Sequence, residues 1–317
     1  ELKKECLDVF EAGDRQTLTQ EESAARRFPI LPSNANVTVI PIIPGITLFG
    51  YIRFLNASPV ETRVDIYANG RRVAADLRYQ HFTEYMKLDP YFRKDNHHMM
   101  TFAMSYAYSE DYILVLSHDE VVHLKCSMIN KMPGLGFDKY ANLKAGYAFM
   151  MGHAGKKLLF MGQDFAQLRE WSEERELDWY LLEEPEHQAI QSWMRDLLHM
   201  YKKKQALYEL DQSWEGFEWV NADDAYRSIY SFIRHSKDGK HNLLFVINFT
   251  PMAREDYRVG VPRKKQYKLI LNSDDVKYGG NGEKRQNIYH AVKKECDGRP
   301  YSFGYKLPPY GVAVFEF

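Results

Sequence analysis

The residues of this sequence best suited to chemistry lie in one short stretch, Ser117-His118-Asp119-Glu120-Val121-Val122-His123. It holds two carboxylates and two imidazoles, side chains of the kinds that bind polar ligands and move protons. The run just before it, 112–116, is wholly apolar and reads as a strand buried on both faces. Ionisable residues at the C-terminal end of a buried parallel strand are where (β/α)-barrel enzymes keep their chemistry. A plainer reading is a strand followed by a capped turn, with Ser117 or Asp119 as the N-cap. The stretch alone leaves both readings open.

The surrounding elements favour the barrel arrangement. Residues 96–108 read as a helix with Met99, Phe102, Ala103 and Tyr106 on one face. Residues 139–153 form the next helix, apolar at Leu143, Ala145, Gly146, Phe149 and Met150, and Gly155 ends it. A second buried strand, 158–161, runs into Gly162-Gln163-Asp164, and 186–201 is a third helix. Two consecutive βα units at the end of an eightfold barrel would give this order. From about residue 211 the period drops to two. Strands are expected at 217–220, 229–234, 243–248, 267–271, 288–291 and 311–317, separated by Gly, Asn, Asp and Pro clusters, as in an antiparallel sandwich.

The N-terminal part differs. Residues 1–39 read as a leader or linker, with a short helix at 2–12 broken by Pro29 and Pro32. Residues 40–85 read as a small β-segment. Strands at 36–43 and 46–55 flank Pro44-Gly45, and strands at 64–67 and 73–77 flank Asn69-Gly70, a tight-turn pair. The expected fold class is therefore α/β plus all-β. Residues 86–210 would be the last two βα units of an incomplete (β/α)8 barrel, and residues 211–317 a β-sandwich.

The chain has 317 residues, 45% of them apolar and 27% charged, with a net charge of −1. That balance gives no reason to expect nucleic acid or an anionic membrane as partner. No run reaches 18 apolar residues, and the N-terminus lacks a signal-like apolar core, so no membrane partner is expected. Cys6, Cys126 and Cys296 are far apart and lack metal-ligand spacing, which suggests a reducing cytoplasm and no metal site. The aromatic content, 14% with 22 Tyr and 5 Trp, suits sugar stacking and β-rich cores alike. The chain begins with Glu, as an excerpt of a longer chain would.

The ordered motifs carry a resemblance. Tyr85-Met86-Lys87-Leu88-Asp89-Pro90-Tyr91-Phe92-Arg93-Lys94, the His118-Asp119-Glu120-Val121-Val122-His123 stretch, Lys131-Met132-Pro133-Gly134 and 155–162 resemble the glycogen branching enzymes of the α-amylase superfamily. So do Glu170-Trp171, Leu177-Asp178-Trp179 and the close at Pro308-Pro309-Tyr310-Gly311. The likeness runs from about residue 85 to residue 317. It implies transfer of an α-1,4-glucan segment to a 6-hydroxyl, with no cofactor and with glycogen or amylose as partner. It makes Asp119 the carboxylate that supports an oxocarbenium-like transition state, and His118 the neighbour holding a hydroxyl of the same glucosyl unit. Glu120, His123 and Trp171 become candidate substrate contacts. Residues 51–59 with 64–70 resemble a small bacterial β-sandwich family of unassigned function.

Retaining glycoside chemistry needs two carboxyl groups about 5–5.5 Å apart. In the family these stand on strands that precede the Tyr-Met-x-Leu-Asp-Pro motif, and the β-segment occupies that place here. Arg63-Val64-Asp65 echoes the family's nucleophile triplet, but its flanks fit a half-exposed hairpin strand with Asp65 on the polar face. Asp164 reads as a supporting acid. The expectation is a truncated or chimeric branching-enzyme chain that lacks nucleophile and acid/base and is inactive alone. The alternative is a non-catalytic glucan-binding or structural β-protein. Two strands cannot close a barrel, so 86–210 should be loose unless they repack, and the sandwich should fold on its own.

Overall fold

The computed structural model describes residues 81–317 except 106 and 109–111, together with the backbone of 65–68, 71–77 and 80. The helix expected at 2–12, the strands at 36–43 and 46–55 and the Asn69-Gly70 turn lie outside the described residues. The chain divides into two compact units, 1–75 and 76–317. Strand β1 (Asp65–Ala68) pairs antiparallel with β2 (Arg71–Leu77), with a bulge between Ile66 and Tyr67. Asp65 opens a hairpin strand, as its flanks suggest.

The second unit opens with α1 (Gln80–Lys87), which buries Phe82, Tyr85 and Met86. A 3-10 segment, Pro90–Asn96, comes next, with the Asp89 side chain accepting from the Tyr91 N–H at 2.9 Å. The single helix expected over 96–108 is broken up. The structure has α2 (His98–Thr101) and a 3-10 turn, Phe102–Ser105, with Phe102 exposed, while Tyr106 lies outside the described residues. Tertiary anchors override the helical period here. Arg93 is fully buried and donates to Asn142 Oδ1 (2.9 Å), Phe249 O (2.8 Å) and Met86 O (3.0 Å). His97 Nε2 sits 2.9 Å from Ala222 O.

Strand β3 (Tyr112–Leu116) is followed by one-turn helix α3 (Met128–Lys131), long helix α4 (Phe137–Gly152), strand β4 (Lys156–Leu159) and helix α5 (Pro185–Lys203). β3 and β4 pair in parallel, Leu116 opposite Leu159. Burial along β3 alternates: Leu114 and Leu116 are inaccessible, whereas Ile113 and Val115 are half-buried. The strand is thus buried on one face, not both. Gly155, at φ +102°, turns the chain from α4 into β4, and a Cβ there would press on Tyr112 O at 3.2 Å. Only glycine combines that φ with that approach at low cost.

Helix α4 has no polar side. Every residue from 141 to 152 is buried, as expected of a helix enclosed by protein on all sides. Polar side chains in this stretch find partners: Asn142 accepts from Arg93, Lys144 Nζ donates to Tyr278 O at 2.5 Å and Tyr147 Oη donates to Gln163 O at 2.9 Å. Burial pushes Lys144 down to about 8. Helix α5 buries His187, Ile190, Met194 and Leu197, a spacing that puts them on one helical face.

The C-terminal part contains β5 (Phe217–Asn221), β6 (Ile229–Arg234), β7 (Leu243–Asn248), β8 (Arg254–Val261), β9 (Gln266–Asn272), β10 (Ile288–His290), β11 (Tyr301–Leu307) and β12 (Val312–Glu316). Six form one antiparallel sheet in the order β10-β9-β12-β7-β6-β5, and β8 pairs with β11 as a second sheet. β8 and β11 lie beyond the strands that the sequence pattern predicts. Along β6 and β7 every residue is buried, because the two faces have different covers. Tyr230, Phe232, Phe245 and Ile247 join a core with Phe149, Trp193 and Leu197 of α4 and α5. Ile229, Ile233, Leu244 and Val246 meet Tyr257, Val259, Phe303 and Tyr305 of the second sheet.

One face of the six-stranded sheet is therefore covered by the helical part, and many described residues of 86–210 share a core with it. The inner face of the six-stranded sheet packs against α4, and α5 packs on α4. At Gly152 a Cβ would lie 2.8 Å from Phe232 and 2.9 Å from Phe245. Helix and sheet approach that closely.

Candidate functional site

Ser117 ends β3 and caps the turn after it. Its Oγ accepts from the Asp119 N–H at 3.3 Å, starting a 3-10 turn over His118–Glu120. Of the two cap candidates, the structure uses Ser117, and the cap and the candidate site are one feature. The turn presents His118 and Asp119 together, with His118 Nε2 3.3 Å from Asp119 Oδ1. The Asp119 side chain is 65% exposed and that of His118 is 31% exposed. A carboxylate open to solvent beside an imidazole can accept and donate hydrogen bonds to neighbouring hydroxyls.

Aromatic rings back the histidine. His118 lies 5.8 Å from Phe160 and 6.4 Å from Trp171, and Phe160 and Trp171 meet edge to face at 5.0 Å. Trp171 is half-buried, and its backbone N–H donates to Val121 O at 3.0 Å. That bond ties the loop after β4 to the loop after β3. Gln163 makes a second tie: its Nε2 donates to Leu116 O at 3.1 Å, while Tyr147 Oη donates to Gln163 O at 2.9 Å.

Glu120 and His123 do not stand with that pair. Glu120 is half-buried and acts electrostatically on Lys131. Lys131 is buried, held below its ordinary pKa by desolvation, and donates to Lys125 O. His123 is exposed, at φ +55°. Leu124 (φ +66°) and Cys126 (φ +67°) share this left-handed conformation, which costs a non-glycine residue about 1–2 kcal/mol. Asp164 is half-buried beyond β4, and burial raises its pKa. Asp178 is buried and paired with Arg169, whose hydrogen bonds hold its carboxyl below the ordinary value. Trp179 is 53% exposed and stacks on Phe165 at 5.2 Å.

Sequence reasoning misses two supporting residues. Gln163 could be singled out as a long amide directly after a buried strand. Glu170 stands out in the sequence only as part of a motif; its carboxylate accepts from the N–H groups of Leu124 (3.1 Å) and Cys126 (2.7 Å). Among the described residues, no group of three or more His, Cys, Asp or Glu could hold a metal ion, and no helix is long and apolar enough to cross a membrane.

Comparison with known proteins bears on the whole C-terminal part. Residues 219–317 match the alpha amylase C-terminal all-beta domain, and residues 50–93 match a domain of unknown function (DUF4397). The chain is 59% identical over 236 residues to the 1,4-alpha-glucan branching enzyme GlgB of Butyrivibrio fibrisolvens, covering 74% of this chain and 37% of that protein. It is 48% identical over 232 residues to the GlgB of Aquifex aeolicus, covering 73% and 37%. An alpha-amylase structure from H. orenii aligns at 12% identity and a TM-score of 0.49, over 77% of this chain and 49% of that one. The chain spans a little over a third of the length of the curated relatives it matches.

Proposed function

Because its last three quarters correspond to the C-terminal part of a GlgB-type 1,4-alpha-glucan branching enzyme, of the alpha-amylase superfamily, we propose that this chain handles α-1,4-glucan at the end of β3. Asp119 and His118 hold hydroxyls of one glucosyl unit, and Trp171 shapes the sugar-facing wall. In a complete barrel this would serve transfer of a glucan segment to a 6-hydroxyl. The observation that carries the reading is the exposed His118–Asp119 pair, 3.3 Å apart, at the end of a parallel strand. The role is electrostatic positioning of a developing positive charge, with no covalent bond to the protein.

We further propose that residues 1–317 alone do not branch glucan. The two described parallel strands run into Asp119, Glu120 and Asp164. Glu120 follows Asp119 directly and Asp164 is half-buried, and we assign neither to the nucleophile and acid about 5–5.5 Å apart that retaining chemistry needs. A domain boundary near residue 85, with an unrelated β-segment before it, belongs to the same reading; the DUF4397 match over residues 50–93 covers the β-segment and runs past that boundary. So does a cytoplasmic setting, in keeping with the free thiols of Cys126 and Cys296.

The test is the fall in amylose–iodine absorbance with the purified chain, alongside amylose affinity electrophoresis. The expected result is no branching and measurable retardation, weakened at least tenfold by Asp119→Ala. Branching lost in Asp119→Ala would overturn the inactive assignment. Retardation indifferent to Asp119→Ala and mapping to 211–317 would favour a glucan-binding β-protein. No retardation at all would favour a structural one.

A further inference from the structure

The loop between the candidate site and α3 is held in an unusual shape by one side chain from elsewhere in the chain. His123, Leu124 and Cys126 all have positive φ, and all are exposed. Successive backbone N–H groups in such a conformation converge and form a cradle for an anion. Here the cradle is filled. Glu170, 44 residues beyond Cys126, places Oε1 2.7 Å from the Cys126 N and Oε2 3.1 Å from the Leu124 N. Arg175 donates to the Glu170 carbonyl at 3.3 Å.

The next residue reaches the site itself. Trp171 donates its N–H to Val121 O and sets its ring against His118. Adjacent residues of one loop thus fix both ends of the segment 121–126: Trp171 at its start, Glu170 at its far end. An exposed loop with three left-handed residues and no such clamp would relax to ordinary backbone angles. Its start is the residue after Glu120, so relaxation would pull on the turn that presents His118 and Asp119.

We propose that Glu170 is a positioning residue of the candidate site: its carboxylate fills the Leu124–Cys126 cradle and so holds the His118–Asp119 turn in shape for a glucosyl unit. The glucan part of this inference rests on the function proposed above; the loop part does not.

Two readouts on the full chain separate them. Amide hydrogen exchange at Leu124 and Cys126 reports the clamp. In Glu170→Ala it should quicken at least tenfold, with amides of α4 unchanged. Glu170→Gln, keeping one acceptor oxygen, should fall between. Excess formate, a free carboxylate, should restore protection in Glu170→Ala, which a loss of packing alone would not allow. Unchanged exchange at both amides in Glu170→Ala overturns the clamp. Amylose affinity electrophoresis reports the site. Weakening in Glu170→Ala, reversed by formate, supports positioning. Undiminished affinity in Glu170→Ala, where Asp119→Ala abolishes it, overturns the positioning role. If the unmodified chain binds no amylose, the glucan part falls with the proposed function, and exchange still decides the clamp.

Discussion

Arg234 and Asp211 meet at 2.8 Å with both side chains out of contact with solvent. Arg234 ends β6. Its guanidinium also donates to Gly152 O (2.8 Å), His153 O (2.9 Å) and Gly216 O (3.0 Å). Asp211 also accepts from the Gly155 N–H at 3.0 Å and faces Lys156 at 3.2 Å. The pair therefore pins the end of α4, the start of β4 and the end of β6 at one point.

Removing the cation should be severe. Arg234→Met leaves a buried carboxylate and four carbonyls, Leu207 O among them, each short of a donor. Breaking one side of a buried pair costs about 3–5 kcal/mol. The midpoint of urea unfolding should fall accordingly, and Arg234→Met with Asp211→Leu should be less damaging than the sum of the single changes. Additive losses would mean the two groups act separately.

Acid should act through the same pair. Burial pushes Asp211 up, but Lys157, Arg234, Lys156 and the Gly155 N–H outweigh it, and its pKa lies below the ordinary 3.8. A carboxyl depressed on folding stabilises the protein fully above its unfolded value. That contribution is lost as pH falls through the folded value. The stability gap between the wild type and Asp211→Asn, followed by chemical denaturation, should shrink as pH falls below about 4. A gap that widened below pH 4 would contradict the assignment.

Gly152→Ala tests the contact of helix and sheet. In an open helix, alanine would gain about 0.5–1 kcal/mol over glycine. Here its methyl would fall within 2.9 Å of Phe232 and Phe245. These rings are stacked on each other at 5.0 Å and cannot easily move apart. Overpacking costs about 1–3 kcal/mol, so the change should destabilise. A raised Tm would show that the rings yield.

Residues 211–317 alone should not fold to a compact, soluble form. Cutting there strips Tyr230, Phe232, Phe245, Ile247, Val312 and Val314 of their helical cover. Each large apolar side chain left in water forfeits about 1.5–3 kcal/mol, against a domain stability of about 5–15 kcal/mol. Strong dye binding and poor amide dispersion are expected, where residues 80–317 should give a cooperative transition.

The sequence is legible where pattern and cover agree. Residues 112–116 are an unbroken apolar run ended by charges, and the strand ends there. The runs at 229–234 and 243–248 need only their β-branched and aromatic content. Strand β8 stays hidden because Arg254, Glu255, Asp256 and Arg258 mask the alternation of Tyr257, Val259 and Val261. The helix expected over 96–108 fails because Arg93 and His97 are anchored to groups 49 to 156 positions away. His118 and Asp119 announce themselves as charges at the end of an apolar strand. Glu170 cannot, since its partners are backbone N–H groups whose convergence exists only in the folded loop.

β12 lies between β7 and β9, inside the six-stranded sheet. It also follows both of them in the chain. A ribosome delivers α4 more than a hundred residues before the strand that completes the surface it rests on. Until Val312 and Val314 emerge, β7 and β9 lack their shared neighbour, and the aromatic face beneath stays open to solvent or to a chaperone. Assembly of this unit thus waits for residue 312, and a nascent chain stalled before it should be held in a chaperone-dependent state.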